Sequence, residues 1–300
     1  QLQRAHVQIA YYTWMLVGLY IVVNIFLHLK NKESFRGLIV YSIPAFLLSI
    51  CMSMWIYYPA ASYTPFSIRG GGEGGGTGID YATQWSFSIG EMLTFFIPSY
   101  YGFGGVTYWG NMPFTDYPNY MGIFSLLFSV YALFLYRDRF RFFLIIASLF
   151  TLFLSFGHNF KLFYEFFYSY FPFFNKFRVP VMILVLLQFN VVVMAALGFN
   201  DLIKKVQLKS KIDKFYILNV FFLLFIFIIY MLFNASPATY ENSNFNQIID
   251  TLRVSIMSKD TLRIIFILLV GLGSIYAASK NIFNHTISIY VIVVLTIFDL

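Results

Sequence analysis

Runs of about twenty apolar residues recur along this chain, and they constrain its folding more than any other feature. In lipid such a run is a helix, because about 30 Å of hydrocarbon offers no partner to an open backbone N–H or C=O. Composition decides that the solvent is lipid. Charged residues make up 11% of the chain and hydrophobic residues 59%, against about a quarter charged in soluble domains. That is too little charge to cover a soluble surface or to keep a chain disordered. The prediction is an all-α polytopic membrane protein, a single transmembrane domain over 1–300. Eight spans are read, at about 9–28, 37–58, 119–136, 142–156, 180–199, 216–234, 262–279 and 287–300. The last run holds 14 residues, or roughly 21 Å at about 1.5 Å each. The chain reads as an internal piece of a longer protein.

The net charge of +7 reports orientation rather than a ligand. One alternating set of loops carries Lys30, Lys32 and Arg36, then Arg137, Arg139 and Arg141, then Lys204, Lys205, Lys209, Lys211 and Lys214, then Lys280. These loops are short and are predicted to be cytoplasmic, which puts the N-terminus outside. Against them stand the acids Glu33, Asp138, Asp201 and Asp213; the other nine of the 13 acids lie outside or at the outer boundary. Basic residues divided between apolar runs make no nucleic-acid face, so no nucleic-acid partner is expected. The single cysteine, Cys51, lies in an apolar run and reads as a small core residue.

The predicted outer loops are 59–118, 157–179 and the polar 235–260. Gly70 to Gly78 lacks the Gly-Lys-Ser/Thr of a phosphate loop and carries Glu73 at its centre. It reads as a hinge or loop tip, or as a flap over a site. Glu91 lies among Phe87, Ile89, Leu93, Phe95 and Phe96, where a carboxylate must be paired or used. Either it pairs internally, with Arg69 as partner, or it belongs to a site. Asp80 reads as a loop acid or helix cap, with a site role as the alternative. Trp109, within Tyr108 to Asp116, fits an interfacial belt or a sugar-stacking face with Asp116 beside it. The segment 157–179 reads as an amphipathic aromatic helix in the outer interface. His158, Lys161, Lys176 and Arg178 mark its two ends. They either snorkel to lipid headgroups or clamp the phosphate of a lipid-linked substrate, Arg by a planar fork and Lys by a point charge. Gln188 and Asn190 read as interhelical hydrogen-bonding residues. Four histidines and one cysteine give no zinc-ligand spacing, so no metal site and no cofactor is read.

Several segments together resemble the YfhO family of bacterial polytopic membrane proteins. They are His6 to Tyr12, Tyr63 to Gly71, Asp80-Tyr81-Ala82-Thr83-Gln84-Trp85-Ser86, Gly90-Glu91, Ile97-Pro98 and Tyr108-Trp109-Gly110 to Thr115. Ser155-Phe156-Gly157-His158-Asn159 and Phe174-Asn175-Lys176-Phe177-Arg178-Val179-Pro180 complete the set. The resemblance implies a relative of the GT-C glycosyltransferases in the bacterial cytoplasmic membrane. Such an enzyme takes a sugar from a polyprenyl-phosphate carrier and passes it to an extracytoplasmic cell-envelope glycopolymer. The catalytic base of that class is expected in an outer loop upstream of this chain; Asp80, Glu91 and Asp116 are the weak candidates within it. His158, Lys161, Lys176, Arg178, Arg69 and Trp109 are the substrate-binding candidates. The rivals are a transporter or flippase of a lipid-linked glycan and a non-catalytic envelope scaffold. The spans hold essentially no charged residue, which favours an enzyme over a path through the membrane.

Overall fold

The computed structural model describes residues 7–66, 78–104, 108–135, 138–235 and 243–300. Every regular element among them is a helix or a helical turn: α1 (Val7–Lys30), α2 (Arg36–Tyr63), α3 (Ile79–Ala82), α4 (Ile123–Leu133), α5 (Arg139–Ser155), α6 (Lys161–Tyr170), α7 (Leu184–Gln207), α8 (Asp213–Ala235), α9 (Ser243–Ser279) and α10 (His285–Asp299). Five helical stretches are long and apolar enough to cross a membrane: α1, α2 with its following turn, Pro180–Gln207 including α7, α8, and Thr251–Ser279 of α9. A sixth arises if α5 and Gly157–Tyr170 count as one span, but they meet at a bend of 114°. The helices α4 and α10 are shorter apolar helices, of 11 and 15 residues. At about 1.5 Å per residue α4 is roughly 17 Å long, because Gly122, at φ +80°, sets its start inside the predicted span.

The predicted loop 235–260 is largely helical, since α9 begins at Ser243. Its buried residues Arg253, Met257, Thr261, Ile264 and Leu268 recur at helical spacing, a stripe that crosses from polar into apolar sequence. Cys51 is exposed on α2, not in a core. A helix apolar on every side does not distinguish a protein-facing cysteine from a lipid-facing one.

The chain forms two compact units. The first comprises Gln1–Phe87 and Asp138–Leu187, the second Ser88–Arg137 and Gln188–Leu300. In the first, α1 packs along α5, and the turn Pro180–Ile183 packs on both. Glu33, between α1 and α2, accepts from Arg139 Nη1 at 2.7 Å and lies 3.1 Å from His28 Nδ1. An aromatic core gathers Tyr11, Tyr12, Tyr164, Phe167, Phe174 and Phe177. In the second unit α9 packs against α8 and α10, with α4 against all three. Gly198 lets α7 approach α4 closely, since a Cβ there would overlap the Phe128 carbonyl oxygen. Asn190 is buried, yet neither of its amide atoms has a hydrogen-bond partner among the described residues, contrary to the interhelical bond expected.

Candidate functional site

In the first unit, two stretches distant in sequence, 155–159 and 178–181, meet on the segment 79–87. Its single turn, α3, is closed by Thr83 Oγ1 donating to the Ile79 carbonyl at 2.8 Å. Backbone bonds then tie it to two other loops. Phe87 N donates to Ser155 O (2.9 Å), Val179 N to Ala82 O (3.1 Å) and Val181 N to Trp85 O (3.2 Å). From α1, the buried Gln8 amide donates to the Arg178 carbonyl and to Tyr12 Oη, the latter at 3.0 Å.

His158 is fixed at both ends. Its backbone N–H donates to Ser86 Oγ at 2.9 Å, and its ring Nδ1 lies 3.0 Å from the Thr83 carbonyl oxygen. A carbonyl only accepts, so Nδ1 carries the hydrogen. Ser86 Oγ donates to the same carbonyl at 2.6 Å, and Asn159 Nδ2 donates to Phe87 O at 2.9 Å. Gly157 makes this docking possible. It adopts φ +48°, and a Cβ there would overlap Ser86 Oγ.

Arg178 is half-buried. Its guanidinium lies 4.7 Å from the Tyr81 ring centroid and 5.1 Å from that of Trp85, and Nη1 donates to Tyr81 Oη. Cation–π attraction and that bond hold the plane, leaving its other N–H groups without a hydrogen-bond acceptor among the described residues. The next residue, Val179, has φ +63°. A β-branched residue in the left-handed region before a proline is strained, by about 1–3 kcal/mol. The bonds from Val179 N and Gln8 hold it there. Asp80 is exposed on the first turn of α3. Lys161 is exposed and lies 3.5 Å from Glu165 along α6. Lys176 ends the turn Phe174–Lys176, partly exposed. The predicted aromatic helix thus becomes the turn Gly157–Phe160, α6 and a second turn, with Leu162, Phe166 and Tyr170 exposed on α6. Arg69 and Gly70 to Gly76 lie outside the described residues.

In the second unit, Glu91 is 1% exposed. Its Oε2 accepts from Ser88 N at 2.9 Å, while its own N–H donates to Ser88 Oγ at 3.2 Å. This is a reciprocal capping box, and Ser88-Ile89-Gly90-Glu91 carries its spacing in the sequence. The other carboxylate oxygen accepts from Tyr108 Oη, which itself accepts from Met112 N at 2.9 Å. Burial first, and the Glu91 hydrogen bond second, push the Tyr108 hydroxyl well above the ordinary tyrosine range. The acid is bound by loop groups. Trp109 donates from Nε1 to the Tyr100 carbonyl at 2.9 Å, and the Arg253 guanidinium lies 5.0 Å from its ring and 4.8 Å from that of Phe233. Arg253 is not among the sequence candidates; its signal is its place on the buried stripe of α9. Asp116 is exposed. Asp299, 2% exposed, accepts from Tyr120 Oη at 2.7 Å and caps α4 through Ile123 N at 2.8 Å.

The substrate-binding candidates therefore part company. His158 and Arg178 hang from one rigid segment. Lys161 and Lys176 belong to the same unit without a bond to that segment, and Trp109 is already engaged in the other unit. Among the described residues no group of three or more His, Cys, Asp or Glu side chains could hold a metal ion. Comparison with protein-family models, with curated proteins and with solved structures gives no match for the chain.

Proposed function

We propose that the chain belongs to a multi-pass glycosyltransferase of the bacterial cytoplasmic membrane, GT-C-like in architecture. It moves a sugar from a polyprenyl-phosphate carrier to an extracytoplasmic cell-envelope acceptor. The eight-span reading, with α4 and α10 as short spans and the N-terminus outside, belongs to this proposal.

The observation that carries it is Arg178. A guanidinium stacked on Tyr81 and Trp85, with donors still to satisfy, suits a phosphodiester at an aromatic membrane boundary. Its work is to balance the negative charge that grows on the departing lipid phosphate. The aromatic faces beside it suit a prenyl chain or a sugar ring. In this proposal Glu91 serves the fold rather than the reaction, as both of its oxygens accept from the loop's own donors. No residue is assigned to a metal ion.

The test is the full-length protein in proteoliposomes supplied with radiolabelled polyprenyl-phosphate sugars on the outer side. Transfer of label to an acceptor glycan, lost in Arg178→Gln, is the expected result. Absence of transfer across a panel of donors and acceptors overturns the enzyme. Movement of the carrier across the bilayer with no new glycosidic bond identifies a flippase instead.

A further inference from the structure

We infer that the second unit holds an anionic phospholipid by its headgroup phosphate, on the side that the proposed orientation makes cytoplasmic. The site is a cavity of about 350 Å³ lined by the end of α7 and by the corner between α9 and α10. That volume is enough for a headgroup. Its polar lining comes from Gln207, Asn281, Asn284 and His285. Asn284 Oδ1 accepts from Thr286 N and from Thr286 Oγ1, both at 3.1 Å, which leaves its Nδ2 as a donor. The side chains of Gln207, Asn281 and His285 have no hydrogen-bond partner among the described residues. Four side chains that can donate thus line one cavity with donors unspent.

Charge selects an anion. The two stretches that line the cavity, 202–212 and 276–289, carry Lys204, Lys205, Lys209, Lys211 and Lys280 and no Asp or Glu. None of these five lysines has an ion-pair partner among the described residues. The other basic connections are offset by their own acids: Glu33 accepts from Arg139, and Asp138 lies 3.1 Å from Arg141 Nε. Uncompensated lysines around a donor-lined cavity between membrane helices suit a phosphate. The adjoining apolar residues favour a lipid over a soluble phosphate. Leu208 and Ile282, each next in sequence to a lining residue, are 77% and 69% exposed. They offer surface to the acyl chains while the headgroup occupies the cavity.

The test is native mass spectrometry of the full-length protein released from nanodiscs of dioleoyl phosphatidylglycerol and dioleoyl phosphatidylcholine in equal parts. It needs no sugar transfer, so its outcome is independent of the glycosyltransferase reading. Retention of phosphatidylglycerol over phosphatidylcholine by about 10-fold or more is the expected result. Lys204→Gln/Lys205→Gln/Lys280→Gln should abolish that preference. Gln207→Leu/His285→Leu keeps every lysine and should lower it by about fivefold. Lys30→Gln/Lys32→Gln/Arg36→Gln removes the same charge from the α1–α2 connection and should leave it within about twofold of wild type. Equal retention of the two lipids overturns the inference. So does an equal loss in both triple variants, which marks diffuse attraction to a basic surface. Displacement of the lipid by inorganic phosphate at equal concentration identifies a soluble-anion site and overturns the lipid as occupant. Should a variant fail to fold, a phosphatidylglycerol with a photoactivatable headgroup decides on the wild-type protein. Adducts within 204–211 and 278–286 support the site, and adducts confined to other segments overturn it.

Discussion

The junction of the first unit and the loop cluster of the second use the same kinds of residue and leave them in opposite states. Each sets polar groups among Tyr and Trp rings, beside an arginine. In the second unit the fold consumes them: Glu91 holds Ser88 N and Tyr108 Oη, Arg253 lies on Trp109 and Phe233, and Asp299 caps α4. In the first unit the fold fixes one end of each side chain and leaves the other open. Arg178 stacks on Tyr81 and Trp85 with donors remaining, and His158 is bound through Nδ1. Chemistry needs groups that are oriented and still available, so the first arrangement reads as a site and the second as structure.

The largest expected effect is on activity. Arg178→Gln should lower sugar transfer by about 100-fold, and Arg178→Lys should recover little of it, because an ammonium lacks the planar fork. Glu91→Gln, assayed alongside per folded molecule, should stay within about threefold of wild type. Loss of transfer in Glu91→Gln with Arg178→Gln unimpaired would invert the comparison. Next in size is Gly157→Ala, which forces a Cβ onto Ser86 at a left-handed φ. It should destabilise the fold by about 2–4 kcal/mol, read as a lower midpoint of thermal unfolding in detergent. An unchanged midpoint would mean that the junction is not rigid.

Within the second unit, Glu91→Ala should cost about 1–3 kcal/mol of stability, since it leaves the Ser88 N–H and the Tyr108 hydroxyl without their acceptor. The same unfolding measurement checks it. The smallest effect lies between α1 and α2. Arg139 beside Glu33 holds its carboxyl below the usual carboxylate range. A lowered folded-state pKa contributes stability that is present above the unfolded-state value, about 4.3. That stability is lost as pH falls through the folded-state value. Wild-type protein should therefore lose slightly more unfolding midpoint than Glu33→Gln between pH 6 and 3, and parallel curves would count against the pairing.

How much of this was legible in the sequence follows from the range of the interactions. Helices α1, α2, α7 and α8 are runs of apolar residues; hydropathy locates α1 and α8 within about three residues at each end, while α2 and α7 run about five and eight residues past their predicted ends. The N-terminal part of α9 is polar, and its helical stripe is quieter than the turn-forming residues around it. The shortness of α4 depends on Gly122 and on a cap from Asp299, 176 positions away. At the junction, residue identity was legible and state was not. The stretches at 80–86, 155–159 and 174–180 are recognisable as motifs from sequence alone. That Gly157 admits Ser86, or that Gln8 reaches the carbonyl of Arg178 across 170 positions, is decided by packing. Glu91 is the reverse case. Its capping box was written locally, three residues back, and the apolar surroundings drew attention to a cationic partner instead.

On the proposed function, a lipid-linked phosphate meets the first unit's junction and not the second unit's loops. The most direct measurement is crosslinking of the full-length protein in proteoliposomes by a polyprenyl phosphate with a photoactivatable group beside the phosphate. Mass spectrometry of the peptides then locates the adduct. Adducts within 79–87 and 157–181, suppressed in Arg178→Gln, are the predicted result. Adducts confined to 88–117 or 253–263, unaffected by Arg178→Gln, would contradict it.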